Sequence, residues 1–201
     1  MSVTNQDLLN IHMFSAPDHI VLPRQHLNNA RDSKHYEWSL QQLQSYKCKT
    51  VLDVGCWDGW LDMLLTESGY QVEGVEIVPD LINAADRYAF NNAIAYKIHQ
   101  GLFHEVSIDG HFDAVLLYEI LEHIPLEIVE QSIDKAESLG NLILVSLPNQ
   151  TCEQNPQKQH RWTPTEDLIK SMWQTKPNYS LQYAEYSGGT PANWFISWTA
   201  Q

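Results

Sequence analysis

The sequence predicts an α/β protein with a mostly parallel, doubly wound sheet of seven strands, preceded by a helical segment and ending in an antiparallel hairpin. Two observations support this prediction. Between residues 50 and 173, short apolar runs alternate with longer segments of helical periodicity. Two further apolar runs then follow each other with only a short Gly-rich connection between them. Repeated strand–helix alternation requires parallel strands joined by right-handed crossovers, so the predicted architecture is Rossmann-like.

The limits of the predicted elements come from glycine, proline and capping residues. Gly69 and Gly140 end two helices, Pro79 opens another, and Thr163 or Thr165 caps the last one. The predicted strands cover residues 50–54, 71–78, 93–99, 112–119, 141–147, 180–186 and 193–199. The predicted helices cover residues 34–45, 60–69, 79–92, 127–140 and 163–173.

The composition of the chain changes near residue 48. Residues 1–47 are polar and form a predicted N-terminal helical lid or extension, whereas residues 48–201 form the predicted Rossmann-like domain. Trp38 anchors the one amphipathic helix expected in the first segment. Two interpretations of this segment stay open. It closes over a ligand and excludes water, or it is an ordinary helix packed on the sheet.

The charge balance of the chain indicates which kinds of partner it binds. Twelve Lys and Arg residues against 25 Asp and Glu residues give a net charge of −13, which argues against a protein that grips nucleic acid. A local basic patch built from Arg24, Arg31 and Arg161 stays open. No signal peptide or apolar run long enough for a membrane span is found, and three cysteines are too few for a disulfide scaffold. We therefore expect a cytoplasmic protein, and nucleic acid is not its expected partner.

The turn after the first strand has the residues of a ligand-binding loop. Gly55 permits a sharp turn, and Gly59 lets the next helix begin close to a ligand. The bulky Trp57 stands where a dinucleotide-binding loop has its middle glycine, so a pyrophosphate would fit badly. Asp53 is costly at the end of a buried strand unless it caps backbone amides or meets a cation, such as an aminoacyl group.

A second acidic residue, Glu76, ends the second predicted strand, 23 residues after Asp53. A carboxylate at this place accepts hydrogen bonds from both hydroxyls of a ribose, whichever nucleoside is bound. The alternative is a solvated glutamate at a strand end. The turn before it favours the ribose interpretation.

Together these motifs resemble the class I S-adenosylmethionine-dependent methyltransferases. The resemblance covers residues 48–199 and depends on four segments in order, LDVGCWDG (52–59), Glu76, FDAVLLYEILEHIP (112–125) and LILVSLPN (142–149). It implies S-adenosylmethionine as cofactor, S-adenosylhomocysteine as product, and methyl transfer to oxygen or nitrogen of a small polar acceptor. The cofactor residues that it implies are Asp53, Gly55, Trp57, Gly59, Glu76, Ile77, Leu102, Phe103 and Tyr118.

Two departures from the family pattern keep an alternative open. Trp57 replaces a glycine, and the stretch Gly101–Phe103 lacks the acidic residue that the family places near the adenine amino group. Backbone groups of Leu102 and packing by Phe103 would substitute for it. The alternative is a module that binds the cofactor without catalysis. A dehydrogenase is disfavoured by the Gly55–Gly59 spacing.

Polar residues follow the fourth strand, where the resemblance places the transferred methyl group. His123 is the expected general base, with His160 as the second candidate. A plainer interpretation is that the segment opens the next helix and that its acids meet the helix amides. The segment also resembles the E-x-x-E-H metal motif of small-RNA 2′-O-methyltransferases, and similar segments occur in ubiquinone-pathway enzymes. That resemblance implies a divalent ion on Glu119, Glu122, His123 and His160; the expected reaction uses no metal.

Overall fold

A computed structural model of the chain describes residues 23–149, 160–186 and 192–200. The chain divides into two compact units, Met1–Asp109 and Gly110–Gln201. Residues 1–22 of the N-terminal segment, most of the 150–162 loop and the turn of the predicted C-terminal hairpin lie outside the described residues. Among the described helices, none is long and apolar enough to cross a membrane. The predicted boundary at residue 48 stays a prediction.

The first unit is a strand–helix repeat preceded by two helices. Its elements are α1 (Pro23–His26), α2 (Ala30–Ser45), β1 (Thr50–Val54), α3 (Trp60–Glu67), β2 (Gln71–Glu76), α4 (Pro79–Asn91) and β3 (Lys97–Gln100). β2 pairs in parallel with both β1 and β3. The carboxyl ends of these three strands therefore meet at one edge, where ligands bind in sheets of this kind.

The second unit contains two long buried strands and a C-terminal hairpin. Its elements are β4 (Phe112–Tyr118), a 3₁₀ turn (Leu121–His123), α5 (Leu126–Leu139), β5 (Gly140–Pro148), α6 (Glu166–Trp173), β6 (Ser180–Ala184) and β7 (Asn193–Thr199). β4 and β5 are parallel, and β7 pairs antiparallel with both β5 and β6. Residues 114–117 and 142–145 are all buried, which explains why both strands read as continuous apolar runs.

The strand order is β3-β2-β1-β4-β5-β7-β6 in one seven-stranded sheet. The predicted fold class, mostly parallel with a C-terminal antiparallel hairpin, is confirmed. The predicted cap of the last helix is also confirmed, because the hydroxyl of Thr165 accepts a hydrogen bond from the Leu168 amide at 3.3 Å.

Two predicted boundaries were each wrong by four residues, for identifiable reasons. The N-terminal helix begins at Ala30 rather than residue 34, because Asn29 caps it by accepting a hydrogen bond from the Arg31 amide at 2.9 Å. The third strand begins at Lys97 rather than residue 93. Ala93 adopts a left-handed conformation with φ of 54°, which ends α4 and delays the strand.

The plainer interpretation, that the segment after β4 opens the next helix, was wrong. A single 3₁₀ turn forms there, and α5 begins only at Leu126, after Pro125 at its N-cap. Proline fixes its own φ and biases Ile124 before it toward extended backbone, and Ile124 has ψ of 152°. Glu122 and His123 therefore lie in the 3₁₀ turn, and Glu119 lies just before it.

Gly74 in β2 is enclosed by polar side chains. A Cβ atom at this position would lie 2.6 Å from the Cys56 sulfur and 3.1 Å from a carboxylate oxygen of Asp62, and closer still to the Tyr96 hydroxyl. Only glycine leaves room for these three groups beneath the turn after β1.

We expect Gly74→Ala to lower the free energy of unfolding by about 1–3 kcal/mol, the usual cost of overpacking a filled interior. Urea denaturation measures the change. Gln71→Ala, at an exposed position of the same strand, is the control and should change the stability by less than about 0.5 kcal/mol. Equal effects of the two substitutions would contradict the packing argument.

Candidate active site

The turn after β1 is bound to the neighbouring strand through its backbone. The amides of Gly55 and Cys56 both donate to the Val75 carbonyl, at 2.8 and 3.1 Å. Gly55 has φ of 75°, which agrees with the sharp turn predicted there, and Gly59 has φ of 76°. The turn therefore has one fixed path from the end of β1 into α3.

Trp57 also occupies the left-handed region, with φ of 56°. A side chain at such a position is strained, which is the physical reason why glycine would be expected there. Its amide donates to a carboxylate oxygen of Glu76 at 3.0 Å. The bond to Glu76 helps to hold the tryptophan in this conformation.

Glu76 binds backbone amides on both sides of the strand end. Besides the Trp57 amide on Oε2, its Oε1 accepts from the amides of Ile77 and Val78 at 2.7 and 2.9 Å. Burial raises the pKa of Glu76, and the three hydrogen bonds oppose that rise. The residue predicted as a ribose ligand is thus also the residue that ties the turn to β2.

Asp53 lies deeper than the sequence suggested. Its side chain is buried, and it interacts with the fully buried Asp62 of α3. Burial raises the pKa of Asp53 to about 7, with the charge of Glu76 adding to the rise and a hydrogen bond to Asp62 opposing it. Burial and the charge of Asp53 also raise the pKa of Asp62. The two acids form a protonatable pair under the turn.

Sequence reasoning missed three members of this buried group. The Tyr96 hydroxyl donates a hydrogen bond to Asp62, and the buried Cys56 thiol lies beside both. The available signal was Asp62 itself, a carboxylate inside the apolar run WLDMLL, where an acid must find a partner.

The residues after β3 pack against this edge of the same unit. Leu102 and Phe103 are buried, and the Gly101 amide donates to the Glu76 carbonyl at 3.0 Å. The Leu102 carbonyl accepts from the amides of residues 105 and 106. The stretch Gly101–Phe103 has no acid, so an adenine bound here would meet apolar side chains and backbone.

The second unit carries its own polar cluster, which begins after Tyr118 at the end of β4. Glu119 has φ of 54° and donates its amide to the Ser146 carbonyl at 3.1 Å. Its Oε1 accepts from the Ser146 hydroxyl at 3.2 Å and from the Asn193 side-chain amide. A strained backbone held by buried polar partners is typical of functional positions.

Glu122, His123 and His160 form a compact group next along the chain. One ligand atom from each lies within 4.8 Å of the other two. The imidazole rings of His123 and His160 meet edge to face with centroids 5.2 Å apart, and burial lowers the pKa of His160. The Arg161 amide donates to the Glu122 carbonyl at 2.7 Å, which fixes the later segment here. Glu119, which the resemblance also implied as a metal ligand, is not in this group.

A family profile described as a methyltransferase domain matches residues 41–176. The chain belongs to this family. The predicted resemblance is therefore confirmed. Among its relatives, the ubiquinone biosynthesis O-methyltransferase of Hydrogenovibrio crunogenus is 31% identical over 88 residues, which is 43% of this chain and 36% of the relative. That of Xanthomonas campestris is 30% identical over 101 residues, 48% of this chain and 42% of the relative. The chain thus spans about two fifths of the length of these two relatives.

Solved methyltransferases share the fold over nearly the whole chain. Magnesium protoporphyrin IX methyltransferase from Synechocystis, crystallised with S-adenosylhomocysteine (SAH), has a TM-score of 0.75 at 14% identity and covers 98% of this chain and 99% of its own. The N-methyltransferase NodS from Bradyrhizobium japonicum, also with SAH, has a TM-score of 0.73 at 10% identity, with 95% and 96% covered. At these identities the likeness shows the fold.

The buried acid pair predicts a pH dependence of stability. A folded-state pKa of about 7 for Asp53, above its ordinary value of 3.8, stabilises the fold at low pH. That contribution is lost as the pH rises through about 7. We expect Asp53→Asn to gain stability relative to the wild type between pH 5 and pH 8, by at least about 1 kcal/mol. Urea denaturation at the two pH values measures this gain. The exposed Asp80→Asn is the control, and parallel behaviour of both variants would refute the acid pair.

Proposed function

We propose that the chain is an S-adenosylmethionine-dependent methyltransferase acting on an oxygen or nitrogen atom of a small polar acceptor. Family membership, together with the glycine turn that Glu76 ties to β2, carries this proposal. The names of the relatives, ubiquinone biosynthesis O-methyltransferase and N-methyltransferase, support these two acceptor atoms. We also propose a cytoplasmic location, as the sequence led us to expect.

The residues of the first unit fit a nucleoside cofactor. S-adenosylmethionine supplies an activated methyl group on its sulfonium centre. Glu76 keeps acceptor capacity for one ribose hydroxyl, because a carboxylate has about four lone-pair sites and three amides bind it. Leu102 and Phe103 offer an apolar surface for adenine. Asp53 remains a proposed residue for the cationic aminoacyl group of the cofactor, and its buried carboxyl lies beneath the turn beside Asp62.

The second unit supplies the groups for the acceptor. His123 takes the proton that an acceptor hydroxyl or amine must lose, with His160 as the alternative base. Glu119, fixed by Ser146 and Asn193, offers a carboxylate to a hydroxyl or ammonium group of the acceptor. The protein's contribution is mainly to orient the reactants and exclude water.

A second candidate is a metal-assisted transfer, which the group Glu122, His123 and His160 favours. One carboxylate and two imidazoles within 4.8 Å of one another suit a first-row divalent ion. Such an ion, if bound, would supply a Lewis acid for an acceptor hydroxyl. In that case these three residues hold the ion, and His123 is not the base.

The third candidate is a module that binds the cofactor without catalysis. Trp57 in a position that favours glycine is the observation behind it. Binding of SAH without turnover of any acceptor would favour this candidate over the enzyme.

We expect isothermal titration calorimetry to show binding of S-adenosylmethionine and SAH, and no binding of NAD. Glu76→Gln should weaken the binding of both sulfur nucleosides by about 1–3 kcal/mol, because a ribose hydroxyl loses a charged acceptor. Circular dichroism checks that the turn survives the substitution, and Asp80→Asn is the control. Tight NAD binding, or an unchanged affinity in Glu76→Gln, would contradict the cofactor assignment.

A second prediction concerns the base. With an acceptor in hand, the rate should rise with pH over about 6–7, where an imidazole loses its proton. His123→Ala should lower the rate by about 10²–10⁴-fold and abolish this limb. His111→Ala, at an exposed position, is the control.

The same assay separates the base from the metal. If a chelator abolishes activity and a divalent ion restores it, the metal group replaces the general base. A His123→Ala enzyme with an unchanged rate and pH profile excludes His123 from either role.

A further inference from the structure

Two N-terminal helices lie along α3, the helix that begins at the cofactor turn. Arg24 of α1 forms an ion pair with Glu67 of α3 at 2.7 Å. The Tyr36 hydroxyl of α2 hydrogen-bonds with the Ser68 hydroxyl at 2.9 Å, just after α3 ends. Both contacts hold the C-terminal end of α3. The other end, where the turn lies, is held by His26.

His26 is enclosed by two carboxylates and an indole ring. Its Nδ1 lies 2.9 Å from Oδ2 of Asp32 in α2, and its Nε2 lies 3.7 Å from Oδ2 of Asp58 in the turn. Its ring stacks on Trp60 with centroids 4.8 Å apart and planes 12° from parallel. The side chains of His26, Asp32 and Asp58 are only 16%, 11% and 6% exposed. The imidazole thus connects α2 with the cofactor turn.

Asp58 transmits this contact to the backbone of the turn. Its Oδ1 accepts a hydrogen bond from the amide of Trp60, the first residue of α3, at 3.3 Å. The N-cap residue, Gly59, has no side chain to do so. The position of the Asp58 carboxylate therefore helps to set how α3 leaves the turn.

The charge of His26 depends on these neighbours. Burial lowers the pKa of His26, but the hydrogen bond to Asp32 and the negative charges of Asp32 and Asp58 outweigh it and raise the pKa to about 9. Arg31 also faces the group, with its Nε 3.2 Å from Asp32. The cation stabilises the folded state fully below pH 6.5, and this contribution is lost as the pH rises through about 9.

We propose that His26 is a positioning residue for the cofactor turn, holding it in place through Asp58 and Trp60. This inference rests on the proposed function of the turn as the S-adenosylmethionine site. When His26 loses its proton, Asp58 loses its buried counter-charge and the turn its link to α2. Cofactor affinity should then fall.

The test is calorimetry of SAH binding between pH 7 and pH 10 to three proteins, the wild type, His26→Gln and the control His111→Gln. We expect wild-type affinity to fall about fivefold more over this range than that of His26→Gln, the effect of one charge interaction of about 1 kcal/mol. The amino group of SAH titrates equally for all three proteins, so the difference between variants isolates His26. His111→Gln should follow the wild type.

Asp32→Asn distinguishes positioning from a merely structural role, and it replaces His26→Gln if that variant does not fold. Asp32 lies in α2, outside the turn, and acts on the cofactor through His26. NMR titration of the His26 ring protons should give a midpoint near 9 in the wild type and a lower one in Asp32→Asn. The midpoint of SAH affinity should move with it.

Each outcome decides one question. If the wild type binds no SAH at any pH, the proposed function fails and the positioning role with it. If the wild type binds SAH but His26→Gln has the same affinity and pH response, only the role of His26 is overturned. The role of His26 is also overturned if Asp32→Asn shifts the pH midpoint of the His26 titration but leaves the pH midpoint of SAH affinity unchanged.

Discussion

The conformation of the turn after β1 depends on the carboxylate of Glu76. Its two oxygens accept hydrogen bonds from amides on either side of β2's end, one from Trp57 in the turn and two from residues 77 and 78. A buried carboxylate is costly unless it is hydrogen-bonded, and buried amides need acceptors in the same way. Each satisfies the other here. The turn, the strand end and the start of α4 are consequently fixed relative to one another.

The same interaction explains how a tryptophan persists where glycine is easier. A side chain with φ of 56° is strained, and such strain lasts only where the surroundings fix the backbone. Two sets of hydrogen bonds provide that constraint. The Trp57 amide donates to the Glu76 carboxylate, and the amides of Gly55 and Cys56 donate to the Val75 carbonyl. Trp57 is thus compatible with an intact turn.

Most of the fold could be predicted because its signals are local. Alternating apolar runs, glycines with positive φ and the Thr165 cap depend on neighbouring residues only. The start of β3 could not be predicted, because alanine at position 93 gives no sequence signal for the left-handed conformation that it adopts. The acid at position 53 was identified from the sequence, but its burial against Asp62 was not. Which two carboxylates face each other depends on the packing of α3 against the sheet.

The candidate site was predictable to the same degree. Family motifs gave the turn, Glu76 and the histidines at 123 and 160, since each lies at a strand end or in a recognisable segment. The setting of His26 was hidden, because its partners Asp32 and Asp58 lie 6 and 32 residues away in the sequence. Contacts of that kind follow from tertiary packing, which residue spacing does not reveal.

The enclosed Cys56 has a consequence for measuring motions of the turn. Its side chain is only 3% exposed, and burial next to Asp62, Glu76 and Asp53 raises the pKa of its thiol. Thiol reagents attack the thiolate, so a closed turn shields this sulfur by access and by protonation together. The rate of alkylation of Cys56, measured by mass spectrometry of its peptide, therefore reports how often the turn opens. The chain thus carries its own reporter of local opening within the proposed cofactor site.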